Sequence, residues 1–207
     1  MHCIAMNKGL LLRSKAPSIP AENFTALTFL DHNRARAQLA IKLGVSAGDI
    51  YKTCIWGNHS STQVPDHTFG TVNLGGVTKS ISEAVADDDY LMGEFVKTVA
   101  TRGAAVIKAR QKSSAMSAAN AIGDHIRTWL VTGSRADDFV SLAVVSDGSY
   151  GITPGIVYSF PVTCPGDGTY TIVQGLEVSP AKMEAMKASE AELIQEKADA
   201  DEVLASQ

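Results

Sequence analysis

The stretch from Asp87 to Thr132 constrains the fold of this chain more than any other, because it reads as long helices with strands on both sides of it. Phe95, Val99, Ala105, Val106 and Ile107 are expected to supply one core face, and Met116, Ala119, Ile122 and Ile126 the next, with a break near Gln111 to Ser114. Upstream, Phe24–Thr28, Ile50–Trp56 and Thr68–Leu74 are rich in β-formers; downstream, so are Phe139–Val145, Val157–Val162 and Tyr170–Val173. The pair Gly75-Gly76 marks a hairpin turn, and Gly148, Pro154-Gly155 and Pro165-Gly166 punctuate the later strands. Strands grouped before and after helices specify an α+β fold: a twisted, mainly antiparallel sheet packed against long helices.

The remaining helices announce themselves by their ends. A helix opening at Asp31 carries Ala35, Leu39 and Leu43 on one face and stops at Gly44. Ser80-Ile81-Ser82-Glu83 is a capping box that opens a short helix. Ser179-Pro180 starts a last amphipathic helix that runs to about Val203, whose charge-rich face reads as a solvated surface. Between Trp56 and the strand at Thr68, Ser60 to Asp66 reads as a polar loop.

The 207 residues are enough for a substantial core, in one large domain or one and a half small ones. A net charge of −4 argues against a nucleic-acid partner, which needs a basic face. No apolar run approaches a membrane span, and lysine and arginine interrupt the Leu10-Leu11-Leu12 run near the N-terminus, so a cytoplasmic location is expected. Cys3, Cys54 and Cys164 lack pairing or metal spacing and read as core thiols of a reducing compartment. With no His-Glu-x-x-His or Cys-x-x-Cys pattern, no metal is expected.

Candidate chemistry centres on Ile55-Trp56-Gly57-Asn58-His59-Ser60-Ser61, where a strand ends in glycine and an imidazole follows. A histidine just beyond a buried strand is held rigidly yet faces a cleft, which suits proton transfer. Asp31 is the matching carboxylate: bonded to one ring nitrogen, it leaves the other free to take or return a proton. Arg34, one helical turn from Asp31, offers paired donors to a substrate carboxylate. Spacing alone favours plainer roles, with Asp31 as a helix cap, His59 as a loop residue and Arg34 as a surface residue. Ser60-Ser61 beside His59 raises a serine-hydrolase reading, which fails for want of a Gly-x-Ser-x-Gly elbow. Ser113 to Ala119 is small-residue-rich and reads equally as a close helix contact or as the polar wall of a pocket. Gly166-Asp167-Gly168 leads into a strand and is a hairpin, not a dinucleotide loop.

Leu30-Asp31-His32-Asn33-Arg34-Ala35, Trp56-Gly57-Asn58-His59-Ser60-Ser61-Thr62-Gln63, Arg102-Gly103-Ala104-Ala105-Val106-Ile107 and Ser113 to Ala119 resemble the cytosolic type of malate dehydrogenase, in that family's order and spacing. Ala16-Pro17-Ser18-Ile19-Pro20 and Ser146-Asp147-Gly148 to Phe160-Pro161 match as well, so the resemblance runs from Ala16 onward. It implies the substrate domain of the lactate/malate dehydrogenase fold, with His59 as proton acceptor, Asp31 as its partner, Arg34 as the substrate clamp and Ser117 on the pocket wall. It further implies malate and oxaloacetate as substrates, NAD as cofactor and a homodimer. The helix Asn33–Leu43, with Ala35, Ala37, Leu39 and Ala40, would lie at the subunit interface.

The family's glycine-rich turn, ribose-binding acid, mobile arginine loop and Asn-Pro-x-Asn segment have no counterpart in the sequence. By the resemblance, residues 1–30 are the remnant of the dinucleotide-binding domain, ending in its last strand, and 31–207 are the substrate domain. Asn7–Arg13 reads as an insertion. Without a pyrophosphate cradle the chain on its own is expected to be inactive. Two rival readings stand beside malate dehydrogenase: a dehydrogenase for another 2-hydroxy acid, and a non-catalytic fragment that persists by dimerising.

Overall fold

A computed structural model describes residues 15–205 and positions 9, 11 and 12. Cys3 and most of the expected insertion at Asn7–Arg13 lie outside the described residues. Helix α1 (Phe29–Leu43) buries Phe29, Leu30, Asp31, His32, Ala35, Leu39 and Ala40 and ends at Gly44, whose left-handed backbone (φ 67°) lets its N–H reach the carbonyls of Ala40 and Ile41. The expected strand at Ile50–Trp56 divides into β1 (Ile50–Tyr51) and β2 (Cys54–Trp56). The break is at Lys52, which adopts φ 54° and donates its N–H to Asp138 Oδ1 at 2.7 Å instead of to a strand.

Strand β3 (Val64–Asp66) forms where a polar loop was expected, paired antiparallel to β2 with Cys54 opposite Asp66 and Trp56 opposite Val64. Its Pro65 is tolerated because the sheet has only two strands and β3 is an edge. Strands β4 (Thr71–Leu74) and β5 (Val77–Ser80) make the hairpin around Gly75-Gly76, and β1 joins β4. The strand is shorter than expected at its start because Gly70 N–H turns back onto the His67 carbonyl at 2.7 Å. Both halves of the Ser80–Glu83 capping box are present at α2 (Ile81–Val85).

Helix α3 begins with a π turn (Tyr90–Glu94), runs through Phe95–Arg110 and stops at Gln111, φ 56°. Helix α4 (Ala115–Arg127) continues into a second π turn (Thr128–Thr132), so the expected break near 111–114 is present. Strands β6 (Val140–Val145), β7 (Val157–Thr163) and β8 (Thr171–Ile172) form an antiparallel sheet in that order. Helix α5 (Pro180–Ala205) closes the chain. The fold is α+β as expected, with three small antiparallel sheets in place of one continuous one. Isolated bridges pair Gly57 with Ser159 and Ala26 with Ala143. The segment Phe24–Thr28 is not a strand: its backbone pairing among the described residues is the Ala26 bridge to β6.

Strand β2 is buried on both faces, and its alternation divides the core. Cys54 and Trp56 join Leu142, Tyr158, Phe160, Met186 and Leu193 on one side. Ile55 joins Leu39, Val72, Ile81, Phe95 and Val99 on the other. Of the core residues expected on α3 and α4, Phe95 and Val99 are buried, but Ala105, Ala119 and Ile126 are exposed, with Ile107 53% and Met116 79% accessible. The inward face of α4 is carried by Ala121 and His125. Its apolar stripe at Met116, Ile122 and Ile126 is exposed.

Candidate active site

Strand β2 delivers the histidine. Beyond Trp56 the backbone turns at Gly57 (φ +91°), which exchanges hydrogen bonds with Ser159 of β7: Gly57 N–H donates at 3.3 Å and Ser159 N–H at 3.0 Å. Trp56 is fully buried and its indole N–H donates to Asp66 Oδ2 at 3.1 Å, fixing the strand just before the turn. The loop 58–63 then brings His59 against the first turn of α1. His59 Nδ1 meets Asp31 Oδ2 in a short contact, with the imidazole 19% exposed and the carboxylate fully buried.

Asp31 serves two partners at once. Its Oδ1 accepts from Arg34 Nη1 at 2.8 Å, one helical turn away, while Oδ2 takes the imidazole. Its place in the first turn of α1 also sets the carboxylate near unpaired helix amides, where a negative charge is favoured. Arg34 Nη2 lies 3.4 Å from Ser114 Oγ, at the start of α4. Asn33 and Asn120 both donate to Asp124 Oδ2, at 3.1 and 2.9 Å, tying α1 to α4. Between α1, α3 and α4 lies a cavity of about 410 Å³ lined by Arg34, Arg102, Asn33, Ser117 and Asn120 among others.

Asp31, His59 and Arg34 are therefore brought together by the fold. Ser117 lines the cavity and donates its hydroxyl to the Ser114 carbonyl at 3.0 Å. Ser114 and Arg102 were not singled out by sequence as site residues. The small-residue run at 113–119 was the available signal for Ser114, which meets Arg34 where the two helices touch, while Ser117 of the same run lines the cavity. Ser60 Oγ donates to Glu192 Oε2 at 2.6 Å, away from the imidazole, which removes the geometry a serine nucleophile needs.

The face of α5 expected to be solvated is instead used. Ser189 Oγ accepts the Asn58 N–H at 2.8 Å, and Glu192 Oε2 accepts from Asn58 Nδ2 at 2.9 Å and from Thr62 Oγ1 as well as Ser60. Glu190, 5% exposed, accepts both the N–H and the hydroxyl of Thr153 at 2.6 Å. Charge pattern alone does not distinguish such a face from a wet one.

Other titratable groups near the site are structural. His32, one residue from Asp31, is held neutral: burial first, then the Arg36 and Arg135 charges, lower its pKa to about 3. Its Nδ1 pairs with Ser141 Oγ at 3.1 Å. Burial lowers His125 to about 4. Cys54 and Cys164 are free and buried, and burial pushes their thiols up, Cys164 to about 11, so both are neutral core groups. Among the described residues no cluster of three His, Cys, Asp or Glu side chains could hold a metal, and no helix is long and apolar enough to cross a membrane. Gly166-Asp167-Gly168 packs against the end of α4, with Gly168 N–H donating to the Trp129 carbonyl at 2.9 Å, and opens no helix. Among the described residues there is no cradle for a dinucleotide pyrophosphate, so they do not fit the nicotinamide cofactor by themselves.

These features define a mixed α+β domain of long helices and small antiparallel sheets, with a buried aspartate shared by a histidine and a neighbouring arginine at the start of a helix. Residues 28–204 match the lactate/malate dehydrogenase, alpha/beta C-terminal domain, and the chain belongs to that family. Cytoplasmic malate dehydrogenase of Bos taurus is 53% identical over 203 residues, covering 97% of this chain and 60% of the relative. That of Mesembryanthemum crystallinum is 51% identical over 193 residues, 93% of this chain and 58% of the relative. The chain thus spans about three-fifths of the length of these relatives. Among solved structures, malate dehydrogenase from Naegleria fowleri superposes with a TM-score of 0.85 at 43% identity, over 93% of this chain and 57% of that one. Lactate dehydrogenase from Trichomonas vaginalis, in complex with NADH and oxamate, superposes with 0.92 at 33% identity, over 98% of this chain and 61% of that one.

Proposed function

We propose that this chain carries the proton-transfer and substrate-clamping half of an NAD-dependent malate dehydrogenase, interconverting malate and oxaloacetate. The observation that carries the reading is Asp31 bridging His59 and Arg34 with its two oxygens, in a chain about half identical to cytoplasmic malate dehydrogenases. With Nδ1–H donated to Asp31, the lone pair of His59 is on Nε2, which takes the proton of a substrate 2-hydroxyl and returns it to a carbonyl oxygen in reverse. Asp31 holds the tautomer and offsets the charge that forms on the ring. Arg34, already oriented by Asp31, pairs the substrate carboxylate through its remaining N–H donors. Ser117 supplies a polar edge to the adjoining cavity. The described residues supply the proton side of the reaction only, and no redox step is assigned to them.

The domain boundary belongs to this proposal: residues before about 30 are the end of a nucleotide-binding domain, and 31–207 the substrate domain. A cytoplasmic location follows from the names of the same relatives, and the homodimer is proposed from the family resemblance. Ala35, Leu39 and Ala40 are buried in this chain's own core, so of the helix face expected at a dimer interface only Ala37 and residues beside it are offered outward.

A chimera tests the reading directly. Residues 28–204 replace the matching segment of the Bos taurus enzyme, and NADH oxidation is followed with oxaloacetate and with pyruvate. Turnover on oxaloacetate, lowered by about 10²–10⁴-fold in His59→Asn, is the expected result. Preference for pyruvate would instead favour the second reading, another 2-hydroxy acid, which the likeness to the Trichomonas vaginalis lactate dehydrogenase supports. The purified chain by itself is expected to oxidise no NADH; a rate typical of intact enzymes would overturn that.

A further inference from the structure

The loop that presents His59 is held almost entirely by one face of α5. Ser189, Glu192 and Glu196 fall at i, i+3 and i+7, so they share a face of that helix. Ser189 Oγ accepts the backbone N–H of Asn58 at 2.8 Å and lies 3.0 Å from Thr62 Oγ1. The Asn58 amide donates to Glu192 Oε2 at 2.9 Å and to Glu196 Oε1 at 3.0 Å. Ser60 and Thr62 give their hydroxyls to the same Glu192 oxygen. The residues on both sides of His59 are thus tied to one hydroxyl and to the Glu192 carboxylate, with Glu196 adding a second carboxylate at Asn58, while His59 itself meets Asp31.

Steric fit reinforces the tie. A Cβ on Gly57 would collide with the Ser189 hydroxyl and lie 2.8 Å from its Cβ, so strand end and helix meet with no space between them. A second anchor sits at the hairpin base. The Lys182 ammonium of α5 is paired with the buried Asp66 carboxylate, which also takes the Trp56 indole N–H. Asn58 is fully buried and its Oδ1 has no partner among the described residues, so its amide orientation depends on the α5 carboxylates.

We propose that Ser189 and Glu192 are positioning residues for His59: the seating of α5 sets the register of loop 58–62, and through it the distance between the imidazole and Asp31. This inference rests on the reading of His59 and Asp31 as the proton-transfer pair. It places part of the site's machinery about 130 residues along the chain from the histidine, on a helix that touches neither Asp31 nor Arg34 through any hydrogen bond described above.

The test is proton NMR on the full chain at low temperature, reading the low-field Nδ1 proton of the His59–Asp31 hydrogen bond, with Asp31→Asn as the control that identifies it. Glu192→Ala and Ser189→Ala are expected to lose that resonance by broadening, at unchanged circular dichroism. Glu192→Gln, whose carbonyl oxygen still accepts the loop donors, is expected to retain it, which a purely structural role of the charge would not predict. Where an alanine variant unfolds, Ser60→Ala in the half-buried loop carries the test, and partial broadening is expected. An unchanged resonance in the folded variants overturns the positioning role and leaves the His59–Asp31 pair intact. No Asp31-sensitive resonance in the unsubstituted chain overturns the pair itself, and the positioning role with it.

Discussion

Acid is the condition to which individual buried residues of this chain answer most directly. His32 and His125 are held neutral by burial, near 3 and 4 against an ordinary 6.5, with nearby arginines adding to the effect at His32. The unfolded chain takes up both protons below pH 6.5 and the native one does not, so stability present at neutral pH is lost as pH falls from 6.5 toward 4. Each such histidine contributes a slope of about 1.4 kcal/mol per pH unit. His125→Phe, which keeps ring contact with Phe29 and Trp129, is expected to remove about one proton's worth of that slope, measured by urea unfolding between pH 6.5 and 4.5. Asp66 has the same sign in a more acidic window: burial pushes its carboxyl up, but the Lys182 ammonium and the Thr68 hydrogen bonds hold it below the ordinary carboxylate range. Its contribution is present above that range and lost as pH falls through its native value. Lys182→Ala strands the carboxylate and is expected to cost about 3–5 kcal/mol in denaturant unfolding, with much of that recovered in the Lys182→Ala/Asp66→Asn double variant. The Asp66–Lys182 pair was not legible in the sequence, whereas Asp31 and His59 were named there as candidates on their chemistry and on the resemblance. Asp66 and Lys182, like Asp31 and His59, meet only because separate elements are packed together, and spacing along the chain carries no trace of that.

Helix ends, by contrast, are local chemistry, and the helices that were read correctly carry such signals. Gly44 at the end of α1, the Ser80–Glu83 box at α2 and the Ser179-Pro180 start of α5 each satisfy backbone groups within a few residues. Strand limits depend on partners, which is why β3 was missed and Ile50–Trp56 was read as unbroken. Gln111 ends α3 in the left-handed region, where glycine is the unstrained residue. Gln111→Gly is expected to stabilise the chain by a few tenths of a kcal/mol to about 1, seen as a raised thermal midpoint. At Gly57 the same logic runs in reverse: φ is +91° and the space belongs to Ser189. Gly57→Ala is expected to destabilise by about 2–4 kcal/mol, and adding Ser189→Gly to relieve the collision should recover part of the loss, leaving the backbone strain.

Over the whole molecule, periodicity named the apolar faces but not what each one meets. Leu39, Phe95 and Val99 are buried in the core beside β2, whereas Met116, Ile122 and Ile126 on α4 are at least 46% exposed among the described residues. The same repeat of apolar side chains therefore signals core in one helix and surface in another. Met116→Gln and Ile122→Gln are accordingly expected to change the unfolding free energy of this chain by less than about 1 kcal/mol each, checked by denaturant titration. A loss of several kcal/mol would mean that this face is covered in solution. The α+β architecture was legible because strands and helices come in blocks, and the resemblance supplied the proton-transfer trio. The single sheet resolved into three because Lys52 and the turn at His67–Gly70 interrupt the strands.

The loop around His59 is hydrogen-bonded to residues 127 to 138 positions farther along the chain. During synthesis, at about 5–20 residues per second, those partners are made on the order of ten seconds after the loop itself. For that interval the nascent polypeptide holds β2 and the loop beyond it but not the helix that braces that loop, with the amide of Asn58 still waiting for its final partners. The ribosome therefore releases the histidine well before it can be seated, and this corner of the protein is completed only when residues 189–196 have cleared the exit tunnel.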